Sequence, residues 1–144
     1  MNRLLSTPSL TARKVVLSGI QPTGVPHLGN YLGALREWSA ISKAASGQNS
    51  KNYFSLMDLH AITITRPAEE LRRDVFDGAC TLLACGILPD SHCSIFVQSQ
   101  VKQHLELYWI LQCLTKLGQL QRMTQFKDKT LQRGGGDQDT GLLV

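Results

Sequence analysis

The residues best suited to chemistry lie in one run, Ser18-Gly19-Ile20-Gln21-Pro22-Thr23-Gly24-Val25-Pro26-His27-Leu28-Gly29-Asn30. His27 can offer a proton-bearing ring nitrogen to a phosphate oxygen, and Asn30 adds a neutral amide donor. Gly19, Gly24 and Gly29 carry no Cβ, so backbone or ligand can come close. Taken alone, His27-Leu28-Gly29-Asn30 also reads as a glycine turn with a surface histidine. A second set is Asp58-Leu59-His60-Ala61-Ile62-Thr63, where a carboxylate and an imidazole follow an apolar stretch. There His60 also reads as a core histidine bonded to backbone, and Asp58 as the brace of a turn.

The elements around these residues place them. Val15-Val16-Leu17 reads as a buried strand. Tyr31 to Ala45 reads as a helix, with Leu32, Leu35, Trp38 and Ile41 near helical spacing. Strand, glycine-rich turn and helix start is where an α/β fold binds a nucleotide, at the carboxyl end of a strand. The helix N-terminus offers free N–H groups and a positive dipole end to phosphate. Ser46 to Lys51 is a polar loop. Asn52 to Asp58 is a second strand, with Asp58 and His60 at its ligand-side end. Pro67 suits the first position of a helix over 67–85, with Glu69 and Glu70 in its first turn. Leu71, Val75, Ala79, Leu82 and Leu83 form its apolar face, and Gly86 its C-cap. Ser94 to Gln98 is a third strand. Repeated strand–helix–strand units imply parallel strands and right-handed crossovers, an α/β fold.

From Lys102 to about Gly118 a helix carries Leu105, Tyr108, Trp109, Leu111 and Leu114. Trp109, Leu105 and Leu114 read as core or dimer packing in preference to a stacking platform for nucleic acid. Gln119 to Lys129 is a further helical piece, in which Lys127 and Lys129 read as a solvated face. The run Arg133-Gly134-Gly135-Gly136-Asp137 lacks the GxGxxG order and a preceding strand, so it reads as a flexible loop.

Composition sets the bounds. The 144 residues give room for one domain with a core, and hydrophobic and charged contents of 42% and 18% are those of a globular protein. A net charge of +4 fits an anionic partner such as ATP or RNA without establishing one. No apolar run approaches the roughly 18 residues of a membrane-spanning helix, so no membrane partner is expected. Cys80, Cys85, Cys93 and Cys113 contain no CxxC pair; free thiols are expected, the sharper alternative being a metal site of Cys85, His92 and Cys93. Met1 to Lys14 holds Arg3, Arg13 and Lys14, several Ser and Thr, and no acid, the first acidic residue being Glu37. That pattern resembles a mitochondrial presequence, the plain alternative being a disordered tail.

The run from Ser18 to Asn30 closely resembles the first signature of class I aminoacyl-tRNA synthetases, and within them the bacterial and mitochondrial tryptophanyl-tRNA synthetases. Asp58-Leu59-His60-Ala61-Ile62-Thr63, Leu83-Ala84-Cys85-Gly86-Ile87, Phe96-Val97-Gln98-Ser99-Gln100 and Arg122-Met123-Thr124-Gln125-Phe126-Lys127-Asp128-Lys129 follow in family order. The resemblance implies a Rossmann-like, doubly wound parallel sheet over 15–144, the first half of the catalytic domain, after a targeting segment at 1–14 and a destination in the mitochondrial matrix. It implies that Gln21, Pro22, Thr23, His27, Leu28, Gly29 and Asn30 bind ATP. Gly19, Gln21 and His60 would form part of a tryptophan pocket, and Lys129 would reach toward the departing pyrophosphate. His27, Asn30 and Lys129, with Mg²⁺, would stabilise phosphate charge, no metal being bound by protein side chains alone.

ATP, L-tryptophan and tRNA(Trp) are the implied partners, with a homodimer formed through 102–129. The implied reaction is attack of the tryptophan carboxylate on the α-phosphorus, then transfer to tRNA. The amino acid brings its own nucleophile, so the protein aligns reactants and stabilises charge. The family's acid-bearing helix that reads the indole nitrogen, its Lys-Met-Ser-Lys-Ser loop and its anticodon-binding domain have no counterpart in these residues. The expectation is therefore a chain crippled on its own. The alternative is a non-catalytic product that binds nucleotide or pairs with the full-length subunit. A cofactor adenylyltransferase is a third reading, against which Arg122-Met123-Thr124-Gln125-Phe126-Lys127 argues.

Overall fold

The computed structural model describes residues 13–45 and 49–124. Its frame is a sheet of three parallel strands in the order β1-β2-β3. These are β1 (Lys14–Ile20), β2 (Ser50–Leu56) and β3 (Cys93–Val97). The register pairs Leu17 with Tyr53 and Ile20 with Leu56, then Phe54 with Ile95 and Leu56 with Val97. The α/β architecture is the one expected, with both crossovers made through helices.

Side chains alternate across the pleat. Ile20, Phe54, Leu56, Cys93, Ile95 and Val97 face the first two crossover helices and join Leu35, Trp38, Leu82 and Ile87 in one core. Trp38 stacks on Phe54 with ring centroids 4.8 Å apart and planes 15° from parallel. On the other face Val15 and Leu17 are 59% and 62% exposed. A cavity of about 420 Å³ lies there, against Tyr53, Phe96, Val101 and His104. Among the described residues, then, helices pack fully on one face, and only the start of a later helix approaches the other.

The first crossover begins in α1 (Leu28–Asn30), passes through a π-helical turn (Tyr31–Leu35) and continues as α2 (Arg36–Ala45). The expected helix is therefore present but starts three residues earlier and contains a wider turn. One inserted residue rotates the helix phase by about 100°. Leu32 is exposed, whereas Leu35, Trp38, Ser42 and Ala45 lie on the buried stripe.

β2 ends at Leu56 rather than Asp58, and Asp58 opens the short helix α3 (Asp58–Ala61). The next helix, α4 (Ala68–Ala84), has Pro67 as its N-cap, one position before the expected one. It stops in a Schellman motif: Gly86 N–H donates to Leu83 O at 2.9 Å and Ile87 N–H to Leu82 O at 3.1 Å. Gly86 has φ +80°, the left-handed conformation that such a cap requires. Leu83, expected on the apolar face, is exposed instead; the buried stripe runs through Asp74, Gly78 and Leu82.

After β3 a 3-10 turn (Gln98–Gln100) leads to α5 (Lys102–Leu114) and α6 (Leu117–Leu120). The single helix expected over 102–118 is broken at Thr115, whose backbone is extended. None of the residues of α5 is buried. Core packing as the role of Leu105, Trp109 and Leu114 is thus excluded within the described part of the chain. Gln125 to Lys129, the glycine run at 134–136 and the expected targeting segment, except Arg13 and Lys14, lie outside the described residues.

Candidate functional site

The loop 21–27 leaves the carboxyl end of β1 and enters α1, so its polar groups sit at the strand ends. Gly24 carries φ +105°, a backbone shape that side-chain-bearing residues rarely adopt. Thr23 N–H donates to Gln21 O at 3.0 Å, which tightens the loop ahead of Gly24. A small cavity of about 160 Å³ opens inside this loop, lined by Gln21, Thr23, Gly24, Pro26, His27 and Asn30 among others.

His27 caps the helix. Its Nδ1 accepts from Gly29 N–H at 3.0 Å and from Asn30 N–H at 3.4 Å, while the backbone N–H of His27 donates to Asn30 Oδ1 at 3.0 Å. This reciprocal pair is a capping box with histidine and asparagine in the usual places of serine and glutamate. It has a chemical consequence. Both donors to Nδ1 are backbone amides, so Nδ1 is the bare nitrogen and the ring proton resides on Nε2. The cap therefore fixes a tautomer that presents an N–H outward. The Asn30 oxygen is used in the cap, which leaves the Nδ2 amide hydrogens as donors.

Gly29 is required by the same geometry. A Cβ at Gly29 would lie 2.9 Å from His27 Cε1 and 3.0 Å from its Nδ1, inside contact distance. Gly19, at the end of β1, meets Met57 in the same way: an added Cβ would sit 2.6 Å from Met57 Cε. Leu28 is exposed on the outer side of the helix start, while Pro22 is buried beneath the loop.

The ends of β2 and β3 carry a second polar group. Asp58 Oδ1 accepts from Leu59 N–H and from Ser99 N–H, each at 3.0 Å, and so ties the two strand ends together. The bracing role of Asp58 is the one the structure displays. His60 Nδ1 lies 2.9 Å from Gln98 Oε1. This pair borders a larger, mostly apolar cavity of about 500 Å³, with Thr63, His104, Leu105 and Tyr108 also on its walls. Of the residues expected in a tryptophan pocket, Gln21 lines the small loop cavity, His60 lines the large one, and Gly19 lines neither. Lys129 falls outside the described residues. Cys85, His92 and Cys93 do not assemble as a metal site: no grouping of three His, Cys, Asp or Glu side chains is found among the described residues.

Two participants escaped the sequence reading. Arg66 Nη1 donates to Pro22 O at 3.2 Å and to Asp74 Oδ2 at 2.9 Å. Gln98 lay in a segment expected to be strand, and its partnership with His60 spans 38 positions. Neither contact leaves a local signal, because each joins segments far apart in the chain.

A parallel sheet with a histidine-capped glycine turn at the carboxyl end of its first strand is an α/β arrangement in which such turns face the ligand side of the sheet. The family model for tRNA synthetases class I (W and Y) matches residues 10–143, and the chain belongs to that family. Within it, the similar sequences are tryptophan–tRNA ligases. That of Prochlorococcus marinus (strain MIT 9313) is 48% identical over 131 residues, 91% of this chain and 37% of the relative. The mitochondrial enzyme of Schizosaccharomyces pombe is 46% identical over 130 residues, 90% of this chain and 36% of the relative. The tryptophanyl-tRNA synthetase of Campylobacter jejuni, solved with ADP and tryptophan, superposes with a TM-score of 0.78 at 32% identity, covering 90% of this chain and 38% of that one. The chain thus spans a little over a third of the length of the relatives it matches.

Proposed function

We propose that this chain carries the nucleotide side of a tryptophan-activating site: the part of a tryptophan–tRNA ligase that grips ATP while the tryptophan carboxylate attacks its α-phosphorus. The observation that carries the reading is the His27–Asn30 cap, which engages Nδ1 and the Asn30 oxygen and so leaves Nε2–H and the Asn30 amide hydrogens free as donors on the two residues that line the loop cavity. Gln21 and Thr23 complete that side from the loop, with Gly29 giving the imidazole its place. Leu28 offers apolar surface for the adenine or ribose. Gly19, Gln21 and His60 contribute to the amino-acid side, and Lys129 neutralises charge on the departing pyrophosphate.

None of these groups needs to act as a nucleophile. Their work is alignment and preorganised hydrogen bonding to charge that grows on the phosphates. Mg²⁺ enters as part of the MgATP substrate, held chiefly by phosphate oxygens and water. The second step passes the tryptophanyl group to tRNA(Trp). A homodimer through α5 fits the apolar side chains which that helix exposes. The acid-free N-terminus and the mitochondrial relative of Schizosaccharomyces pombe support a place in the mitochondrial matrix.

The test is ATP binding by the purified chain, followed by tryptophan-dependent ATP–pyrophosphate exchange. Saturable ATP binding without exchange is the expected result. Exchange would show that these residues suffice for activation, and absence of ATP binding would remove the reading.

A further inference from the structure

The loop that bears Gln21 and Thr23 is held from outside by a charged pair. Arg66 precedes α4 and Asp74 sits within it; Asp74 is 7% exposed, and its carboxylate meets Arg66 Nη1 at 2.9 Å. The same Nη1 reaches across 44 positions to the Pro22 carbonyl at 3.2 Å. An arginine pairing with a carboxylate for its own sake usually does so in a bidentate fork. Here one nitrogen, Nη1, serves both acceptors and also lies 3.9 Å from Glu70 Oε1. The guanidinium thus links the carboxylate on α4 to the loop carbonyl through a single Nη1 with its two hydrogens. Pro22 is buried at that point, and Gly24 two residues on carries the left-handed turn.

From this geometry we propose that Arg66, oriented by Asp74, is a positioning residue that fixes the loop 21–24 in its nucleotide-receiving shape. The claim about ATP rests on the function proposed above; the claim about the loop does not. Arg66 touches no reacting atom. It acts through Pro22, and so through the placement of Gln21 and Thr23 on the wall of the loop cavity.

Replacing both partners by apolar residues, Arg66→Met with Asp74→Leu, separates bracing from positioning, since well-packed apolar pairs often match or exceed the stability of buried ion pairs. The expected result is a melting temperature at or above that of the parent chain, backbone hydrogen exchange faster by about tenfold in a peptide spanning residues 19–29 but not in β2 or α4, and ATP affinity weaker by about tenfold or more. Unchanged exchange in that peptide, with unchanged ATP affinity, would reduce Arg66 to a brace of α4 and overturn the proposal. Arg66→Lys keeps a cation beside Asp74 and serves if the apolar pair misfolds. Exchange in the 19–29 peptide and ATP affinity that move together, whether both near the parent's or both impaired, support positioning; parent-like loop exchange with weakened ATP affinity overturns it. If the parent chain itself binds no ATP, the function proposed above fails, and loop exchange alone decides the role of Arg66.

Discussion

His27 caps the helix start, and the donor role proposed for its Nε2–H can be pulled apart from capping by substitution. Asparagine is among the best N-cap residues, so His27→Asn should keep the helix start while removing the outward Nε2–H. Alanine removes both, and should lower stability by about 1 kcal/mol. Urea denaturation should therefore separate His27→Ala from the parent and leave His27→Asn close to it, whereas ATP titration should show both variants weakened. If His27→Asn binds ATP as the parent does, the ring N–H has no part in binding. Gly29→Ala makes a matching prediction from sterics: its Cβ would press on the His27 ring at 2.9 Å, so ATP affinity should fall although no donor is deleted. The imidazole resonances, followed by NMR, should shift in that variant. The turn and helix start built by these residues were legible in the sequence because glycine and a polar cap announce themselves locally. The tautomer was not, since it depends on which ring nitrogen the backbone amides reach.

At the scale of elements, the existence of the three strands and the end of α4 were readable because apolar runs and a capping glycine are short-range signals. Gly86 after an apolar run marked the end of α4, and its φ of +80° bears the reason. Gly86→Ala should cost about 1–2 kcal/mol, the usual penalty for a Cβ in the left-handed region. The denaturant midpoint should fall with an unchanged m-value; an unchanged midpoint would mean that the cap relaxes into another form. The stacked pair Trp38 and Phe54 binds α2 to the central strand, and Trp38→Ala should remove about 3–5 kcal/mol. The π turn at Tyr31–Leu35 was missed because the spacing of Leu32, Leu35 and Trp38 suits an unbroken α-helix equally well. Asp58 was placed on a strand because its apolar neighbours continue the pattern. Its hydrogen bond to Ser99 N–H, a contact across 41 positions, is what draws it out of the ladder.

For the whole molecule, two apolar surfaces stand open among the described residues: the sheet face with Val15 and Leu17, and the length of α5. Periodicity revealed that α5 has apolar side chains; it carried no information about what covers them, and of the two expectations, core or dimer packing, the first is not met among the described residues. Trp109 and Leu114 are 67% and 76% exposed, with Ile110 and Leu111 beside them. Contiguous apolar patches of that kind mark interfaces more often than solvent. A dimer through α5 would bury them, and the interface would need about 1,200 Å² or more in total to be stable. Sedimentation velocity over a range of concentrations should then show the chain self-associating. Trp109→Glu with Leu114→Glu should return it to a monomer with its far-UV spectrum intact, because neither side chain supports the core. Val15→Thr with Leu17→Thr, on the sheet face, provides the contrast. If only the sheet-face pair disperses the assembly, the contact runs through the open sheet and the place assigned to α5 is wrong. If only the α5 pair does, the helix is the interface and the sheet face takes no part in it.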